Sequence, residues 1–236
     1  AWETIDWKRA QKSITYKQKR IALAALRHDY DAIEHWQKIL VRSIDAKLYV
    51  VKSVTDSKGQ AGIDHIVWRT PNEKVHAAIS LTSKDYHAKP SRMVQRLNNG
   101  KMRNMHVNTY YDRAMQALYG LSIAPVNETW SDSKSFSSRL NRSVHDVTYY
   151  LCELYSGKDA PEWIFKTDIQ KCYESISHEW LRKHIPMDEH VLDEFLRAGY
   201  YFSDKYYDMN DGIGIGCRLS VHLSNMTLNG LQDYVY

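Results

Sequence analysis

Asp168 is the residue whose setting most invites chemistry. It lies in the run F-K-T-D-I-Q-K-C-Y-E-S-I-S-H-E-W from Phe165 to Trp180, with the apolar Trp163-Ile164-Phe165 leading in and Tyr173 five residues after it. The pattern predicts a short buried strand that delivers an acid to its exposed end, then a turn and a helix from about His178. A buried strand has no use for a lone carboxylate unless something cationic meets it, so metal ligation is one reading of Asp168. A cap on the turn after the strand is the other. A second segment, Asp211-Gly-Ile-Gly-Ile-Gly-Cys217, places three alternating glycines before a helix, where a neighbouring backbone or a phosphate can approach closely. It lacks the strand–turn–helix and later acid of a dinucleotide site and the G-K-[ST] of a P-loop.

Positioning these segments falls to elements that the spacing outlines. Residues 6 to 54 read as two helices broken near Arg27 to Asp29. The second carries an apolar stripe of Ile33, Trp36, Leu40, Ile44, Leu48 and Val51. Their outer faces are basic, with Lys17 and Arg20 on the first helix and Lys47 on the second, and such a pair can lie along a phosphate backbone or simply face solvent. Thr55 to Gly62 is a loop by composition. Thr70-Pro-Asn-Glu73 starts a helix running to about Leu81. Arg92 to Leu97 and Lys101 to Val107 form a hairpin around Asn98-Asn99-Gly100. It clusters Arg92, Arg96, Lys101 and Arg103, suited to gripping a triphosphate or a template. Asp112 to Ile123 reads as a helix with Ala114, Met115, Leu118 and Leu121 inward. Ser135 to Arg142 is a polar loop and Ser143 to Leu154 a further helix. His178 to Tyr201 is helical with a break at Pro186. Tyr200 to Asp208 is a hairpin turning near Ser203-Asp204, and a last helix runs from Ser220 through Leu223, Met226, Leu228 and Leu231.

Composition narrows the class. The 236 residues suffice for one sizeable core and two subdomains. Lys and Arg outnumber Asp and Glu by 12 to 7 in residues 1 to 60 and by 9 to 4 in residues 61 to 120, whereas the remainder holds 11 against 17. A basic half joined to an acidic half fits a polyanion-binding platform beside a cation site, and ordinary solvated surfaces also show it. Three separated cysteines, Cys152, Cys172 and Cys217, argue for a reducing compartment and against a zinc site or disulfide framework. No apolar run approaches the ~18 residues of a membrane span, and the expectation is a cytoplasmic protein with no membrane partner.

Several motifs, in chain order, resemble the reverse transcriptases of bacterial group II intron-encoded proteins, or maturases. The W-x-x-I-D-W opening at Trp2 to Trp7, Ser43 to Lys58, and Ala61-Gly-Ile-Asp64 are similar to the family's N-terminal portion. Asn99-Gly-Lys-Met-Arg103 resembles N-G-K-x-R, and Asp112-Arg-Ala-Met-Gln-Ala-Leu118 resembles D-R-A-x-Q-A-L. Ser135-Phe136 through Arg142-Ser143 resembles S-Y-G-F-R-x-x-R-S. Thr167-Asp-Ile-Gln-Lys-Cys-Tyr173 and Ile176 to Leu181 resemble the palm motif of the first catalytic aspartate, and Leu223 to Leu231 the helix after the template loop. Departures gather at nucleic-acid contacts: Gly212 to Cys217 stands for G-T-P-Q-G-G, Arg103 to Thr109 for R-P-L-G-I-P-T, and Phe136-Ser-Ser-Arg139 for Y-G-F-R.

The resemblance implies an α+β fold, the fingers and partial palm of a right-hand polymerase, with a basic helical N-terminal extension over 1–60, fingers over 61–145 and partial palm over 146–236. It implies an RNA-directed DNA polymerase that uses Mg2+, a structured RNA template, a DNA or RNA primer and deoxynucleoside triphosphates. Asp168 and the Ile169 carbonyl would hold the metal. Lys101, Arg103, Ile169 and Tyr173 would meet the nucleotide, Tyr173 as the sugar filter. Template or RNA contacts would fall to Arg92, Arg96, Arg139, Arg142, Gly212, Gly214 and Gly216, with Lys17, Arg20 and Lys47 from the N-terminal helices. The family's Y-x-D-D pair has no counterpart here, since no Asp-Asp pair occurs in the chain. One carboxylate holds two divalent ions poorly, so these residues are not expected to polymerise alone. A non-catalytic RNA-binding maturase, and a domesticated enzyme in antiphage defence or CRISPR adaptation, are the alternative functions.

Overall fold

A computed structural model of the protein describes residues 2–98, 100–139 and 142–234. Helix α1 (Trp7–Leu26) begins where the Asp6 side chain accepts from the Arg9 amide, and α2 (Tyr30–Arg42) begins on the equivalent bond from Ala32 to Asp29. The long second helix expected over the apolar stripe is instead two, α2 and α3 (Ile44–Asp56), because Ser43 is extended (φ −67°, ψ 127°). One extended residue resets the helical phase. Ile33, Leu40 and Val51 are buried as the stripe requires, but Ile44, just past the break, is exposed. Helix α4 (Pro71–Ser80) carries the capping box anticipated at Thr70 and Glu73, each side chain bonded to the other residue's backbone.

Helix α5 (Tyr110–Trp130) is the axle of the molecule, packed against α1, α2, α3 and, at the far end of the chain, α9 (Ser220–Leu228). It continues seven residues beyond the expected end at Ile123, straight through Pro125. Proline has no N–H to offer the carbonyl four residues back, and the Gln18 side chain from α1 donates to that carbonyl, Leu121 O, at 2.9 Å. Trp130 Nε1 adds a bond to Ala25 O at 3.0 Å, fastening the two helices at their ends.

The sheet has order β2-β1-β3-β4. Strands β1 (Ser91–Asn98) and β2 (Lys101–Val107) form the expected antiparallel hairpin in the register Arg92↔Val107 to Asn98↔Lys101. Asn99 of the turn lies outside the described residues; Gly100 has φ +75°. Strands β3 (Tyr200–Phe202) and β4 (Lys205–Tyr207) turn through Ser203 and Asp204, at φ 49° and 61°, the left-handed pair that a two-residue hairpin demands. Strand β3 runs parallel to β1, so the second hairpin extends the first.

Helix α6 (Val144–Ser156) has its Ser143/Asp146 cap but buries none of its residues. Leu140 and Asn141, in the polar loop before it, lie outside the described residues. Helices α7 (His178–His184) and α8 (Glu189–Arg197) flank Pro186, and Tyr200 and Tyr201 belong to β3 rather than to a helix. One expectation fails outright. Trp163, Ile164 and Phe165 form no strand, and they are 88%, 73% and 82% exposed. A strand is stable only on a ladder, and the sheet that exists is built from other segments, so this apolar run remains an unpaired chain.

Candidate functional site

The stretch after Asp168 is anchored from its far side. Asp168 and Ile169 are exposed, Lys171 turns the chain at φ 52°, and a 3-10 turn (Cys172–Ser175) brings Tyr173 half-buried against the core. From there the backbone is docked onto the glycine segment. Ile213 N donates to Tyr173 O at 2.7 Å, and Gly212 N to Ile176 O at 2.8 Å. Buried His178 donates from Nε2 to Gly212 O at 2.6 Å, since a carbonyl can only accept. Gly212 sits at φ +81°, and a Cβ there would lie 2.7 Å from Glu174 O and 2.9 Å from Glu174 Cα. Only glycine satisfies both the conformation and the approach.

The same glycine segment reaches the hairpin. His106 N on β2 donates to Ile215 O at 2.9 Å, and Gly216, at φ +92°, lies beside Met105. Ser220 Oγ donates to Gly214 O at 2.8 Å and ties the segment to the start of α9. Residues 212–217 therefore bridge the Asp168–Ile176 turn and β2, bringing together three stretches singled out separately in the sequence. His106 is itself fixed by Ser91 Oγ at 2.7 Å from Nδ1, and burial holds its pKa below the usual histidine value.

The predicted basic residues divide into free and committed groups. Lys101, Arg103 and Arg96 are exposed, and Arg96 stands opposite Arg103 across the ladder. Two like charges in that position repel, an arrangement that a bound anion relieves. Arg92 is turned inward, donating to Gln60 Oε1 at 3.2 Å and Ala61 O at 3.3 Å, while its buried Nε has no partner. Arg139 is buried and spends all five N–H groups on protein: Nε and Nη2 on the Glu128 carboxylate, Nη2 also on Glu128 O, and Nη1 on Asp132 O and Ser135 O. Arg142 joins it, with Nη2 3.2 Å from Glu128. Burial pushes the Glu128 carboxyl up, but these two arginines outweigh it and leave its pKa below the ordinary value. Arg139 thus has a structural task that the sequence did not disclose. Lys17 bonds back to Ser13, Arg20 lies over the Trp36 ring at 4.9 Å, and burial lowers the Lys47 pKa; all three sit on the helices around α5 rather than on the hairpin.

Two basic clefts flank the loop that joins α3 to the next segment. One, of about 790 Å³, is lined by Lys58, Arg69, Lys74 and Arg92 with the Trp68 and Tyr110 rings, and no Asp or Glu lines it. The other, of about 220 Å³, lies between that loop, the hairpin and the glycine segment, and contains Arg96, Arg113 and Arg218. Arg113 was visible only as a letter of D-R-A, and Arg218 as a cation two residues past the last glycine of the run. That last position was the one available signal. Buried Asp112 is held by Tyr86 Oη at 2.7 Å and Thr109 Oγ1 at 2.6 Å, so the acid of that motif stabilises the α5 start. Among the described residues no group of three or more His, Cys, Asp or Glu could hold a metal ion. Asp168 would supply one carboxylate to a divalent cation and does not by itself complete a site for a pair.

Comparison with known proteins accords with this geometry. Residues 2–81 match the model of the N-terminal domain of reverse transcriptase, and residues 73–235 that of the reverse transcriptase (RNA-dependent DNA polymerase). The chain belongs to the reverse transcriptase family. It is 27% identical over 173 residues to the group II intron-encoded protein LtrA of Lactococcus lactis subsp. cremoris, an alignment covering 69% of this chain and 28% of LtrA. It is 26% identical over 165 residues to protein YkfC of Escherichia coli K12, covering 66% of this chain and 43% of that protein. The chain therefore spans less than half the length of either relative. No helix among the described residues is long and apolar enough to cross a membrane.

Proposed function

We propose that this chain is the fingers and partial palm of an RNA-directed DNA polymerase of group II intron lineage, preceded by a basic helical extension. The observation that carries the reading is the convergence on one glycine segment of the Asp168–Tyr173 turn and the basic β1–β2 hairpin. Template-directed synthesis needs those parts adjacent: a carboxylate near the primer end, cations on the triphosphate, and a backbone surface under the template. In this reading, residues 61–145 are the fingers and residues from 146 onward the palm. Lys101 and Arg103 neutralise the triphosphate, and Tyr173 packs on its sugar. Asp168 is the carboxylate that the chain contributes to a magnesium site, where the metal supplies charge neutralisation. No group of three or more His, Cys, Asp or Glu surrounds it among the described residues, so the site needs further ligands to hold a pair of ions. The basic cleft with Trp68 and Tyr110 supports binding of single-stranded RNA, since phosphates and base faces find partners together there.

The test is primer extension on an RNA template by the full-length protein, with Asp168→Asn as the comparison. Extension is expected from the wild type and only background from the variant. Equal extension by both would remove Asp168 from catalysis. RNA binding without extension by either would favour a non-catalytic maturase.

A further inference from the structure

We propose that the cleft between the 57–60 loop, the β1–β2 hairpin and the glycine segment is a phosphate site, with Arg113 and Arg218 at its back and Arg96 at its mouth, and that its occupant is a backbone phosphate of single-stranded RNA. The inference rests on the template-binding reading above and assigns to it two residues that the sequence motifs did not.

The cleft carries unbalanced positive charge. Arg218 is half-buried, and among the described residues its guanidinium partners are neutral: Nη1 to Ser53 Oγ at 2.9 Å and Nη2 to Ser53 O at 3.2 Å. Arg113 is likewise half-buried and uses Nε on Asn108 O at 2.9 Å and Nη2 on Gln60 O, with its guanidinium 4.8 Å from the Tyr110 ring centre. Among the described residues, no hydrogen bond is formed by its Nη1. Burial holds both arginines below the usual arginine value, and each repels the other, yet a guanidinium remains charged in a protein. None of the residues lining the cleft is an Asp or Glu. The carboxylate that reaches Arg113 electrostatically is Asp64, which is paired with Lys89 at 3.4 Å. Partly buried cations without a counter-ion are costly, and an anion entering the cleft offsets that cost.

Shape supports the same occupant. The cleft holds about 220 Å³, room for a phosphate and part of its sugar. Gly59 lets the Arg113 guanidinium lie flat against the loop, because a Cβ there would meet Arg113 Nη1. Gly216 opens the opposite wall. Guanidinium forks suit phosphate oxygens bidentately, and Ser53 fixes the Arg218 fork before any ligand arrives.

Two measurements on this chain test the proposal. The first follows arginine Nε–H signals by NMR during titration with inorganic orthophosphate. Those of Arg113 and Arg218 are expected to shift first, and if they stay fixed while other arginines move, the site is wrong. The second is fluorescence anisotropy with a labelled single-stranded RNA 12-mer across a salt series. Arg218→Gln keeps a bond to Ser53 and is expected to weaken binding roughly fivefold and to flatten the salt dependence by about 0.7 in log–log slope, the loss of one phosphate contact. Arg218→Lys is expected to recover the slope but not the full affinity. An unchanged slope in a folded Arg218→Gln, verified by its circular dichroism melt, overturns the proposal. So does competition by dATP at concentrations where orthophosphate is inert, which would give the cleft to a triphosphate. Neither readout requires synthesis, so failure of primer extension and failure of this site are separable.

Discussion

Replacing Gly212 by alanine isolates the contact on which the candidate site depends. Two costs are expected. The left-handed conformation at φ +81° costs an alanine about 1 to 2 kcal/mol. The added Cβ would meet the Glu174 backbone at 2.7 and 2.9 Å, atoms that cannot swing aside, and overpacking of that kind costs roughly 1 to 3 kcal/mol. Gly100→Ala is the control: its φ of +75° is similar, and no atom lies within 4 Å of the added carbon. The control therefore carries the conformational cost alone, about 1 kcal/mol after the alanine's smaller unfolded-state entropy is counted. Urea unfolding followed by far-ultraviolet circular dichroism reads both. With a denaturant slope near 2.5 kcal/mol/M, a loss of about 3 kcal/mol for Gly212→Ala lowers the midpoint by about 1.2 M, against about 0.4 M for Gly100→Ala. Equal shifts would mean that the glycine segment is not docked on the Glu174 turn, and the bridge to Asp168 would fall with it.

Other outcomes follow from the same geometry. Asp168→Asn in the full-length protein is expected to abolish primer extension while leaving RNA affinity intact, whereas Arg218→Gln is expected to flatten the salt dependence of RNA binding. His106 and His222 are held below the normal histidine value by burial, so the unfolded chain takes up protons first on acidification. Their contribution to stability is complete above about pH 6.5 and is lost as pH falls below it, with a limiting slope of about 1.4 kcal/mol per pH unit for each. His106→Asn is expected to reduce that slope in midpoints measured from pH 7.5 to 5.5, and an unchanged slope would contradict the burial argument. Amide exchange in residues 144–171, a segment almost entirely without buried side chains, is expected to run roughly 100-fold or more faster than in α5; comparable protection would show that this segment packs more firmly than its exposure indicates.

What the sequence disclosed was whatever local chemistry decides. Thr70-Pro71-x-Glu73, Asn98-Asn99-Gly100 and Pro186 each act within a few residues, and helix, hairpin and break stand where those residues put them. The failures have long-range causes. Nothing near Pro125 shows that Gln18, over a hundred positions earlier, will take the orphaned Leu121 carbonyl and let α5 continue. Trp163-Ile164-Phe165 has the composition of a strand, but pairing is a property of the partner. Arg139 reads in its motif as a template contact, and nothing in the Ser135 to Arg142 loop shows that Glu128 will enclose it. At the site, the glycines, the hairpin cations and Asp168 were legible as separate signals. Their convergence was not, because it is made by backbone bonds to carbonyls that carry no residue identity.

That convergence limits how Asp168 is positioned. Upstream, residues 157–167 have no strand to hold them and are almost wholly exposed. Downstream, Tyr173 O, Ile176 O and the His178 ring are all bonded to Gly212 and Ile213. Within the described residues the carboxylate therefore takes its place from the glycine segment, five residues away along the turn, rather than from a sheet beneath it. The segment is in turn fixed by His106 on β2 and by Ser220 on α9. Movement of the hairpin on binding an anion at Arg96, Arg113 and Arg218 would pass through His106 and Ile215 to the Tyr173 turn by direct backbone bonds. Coupling between the hairpin and the acid then needs no side-chain relay.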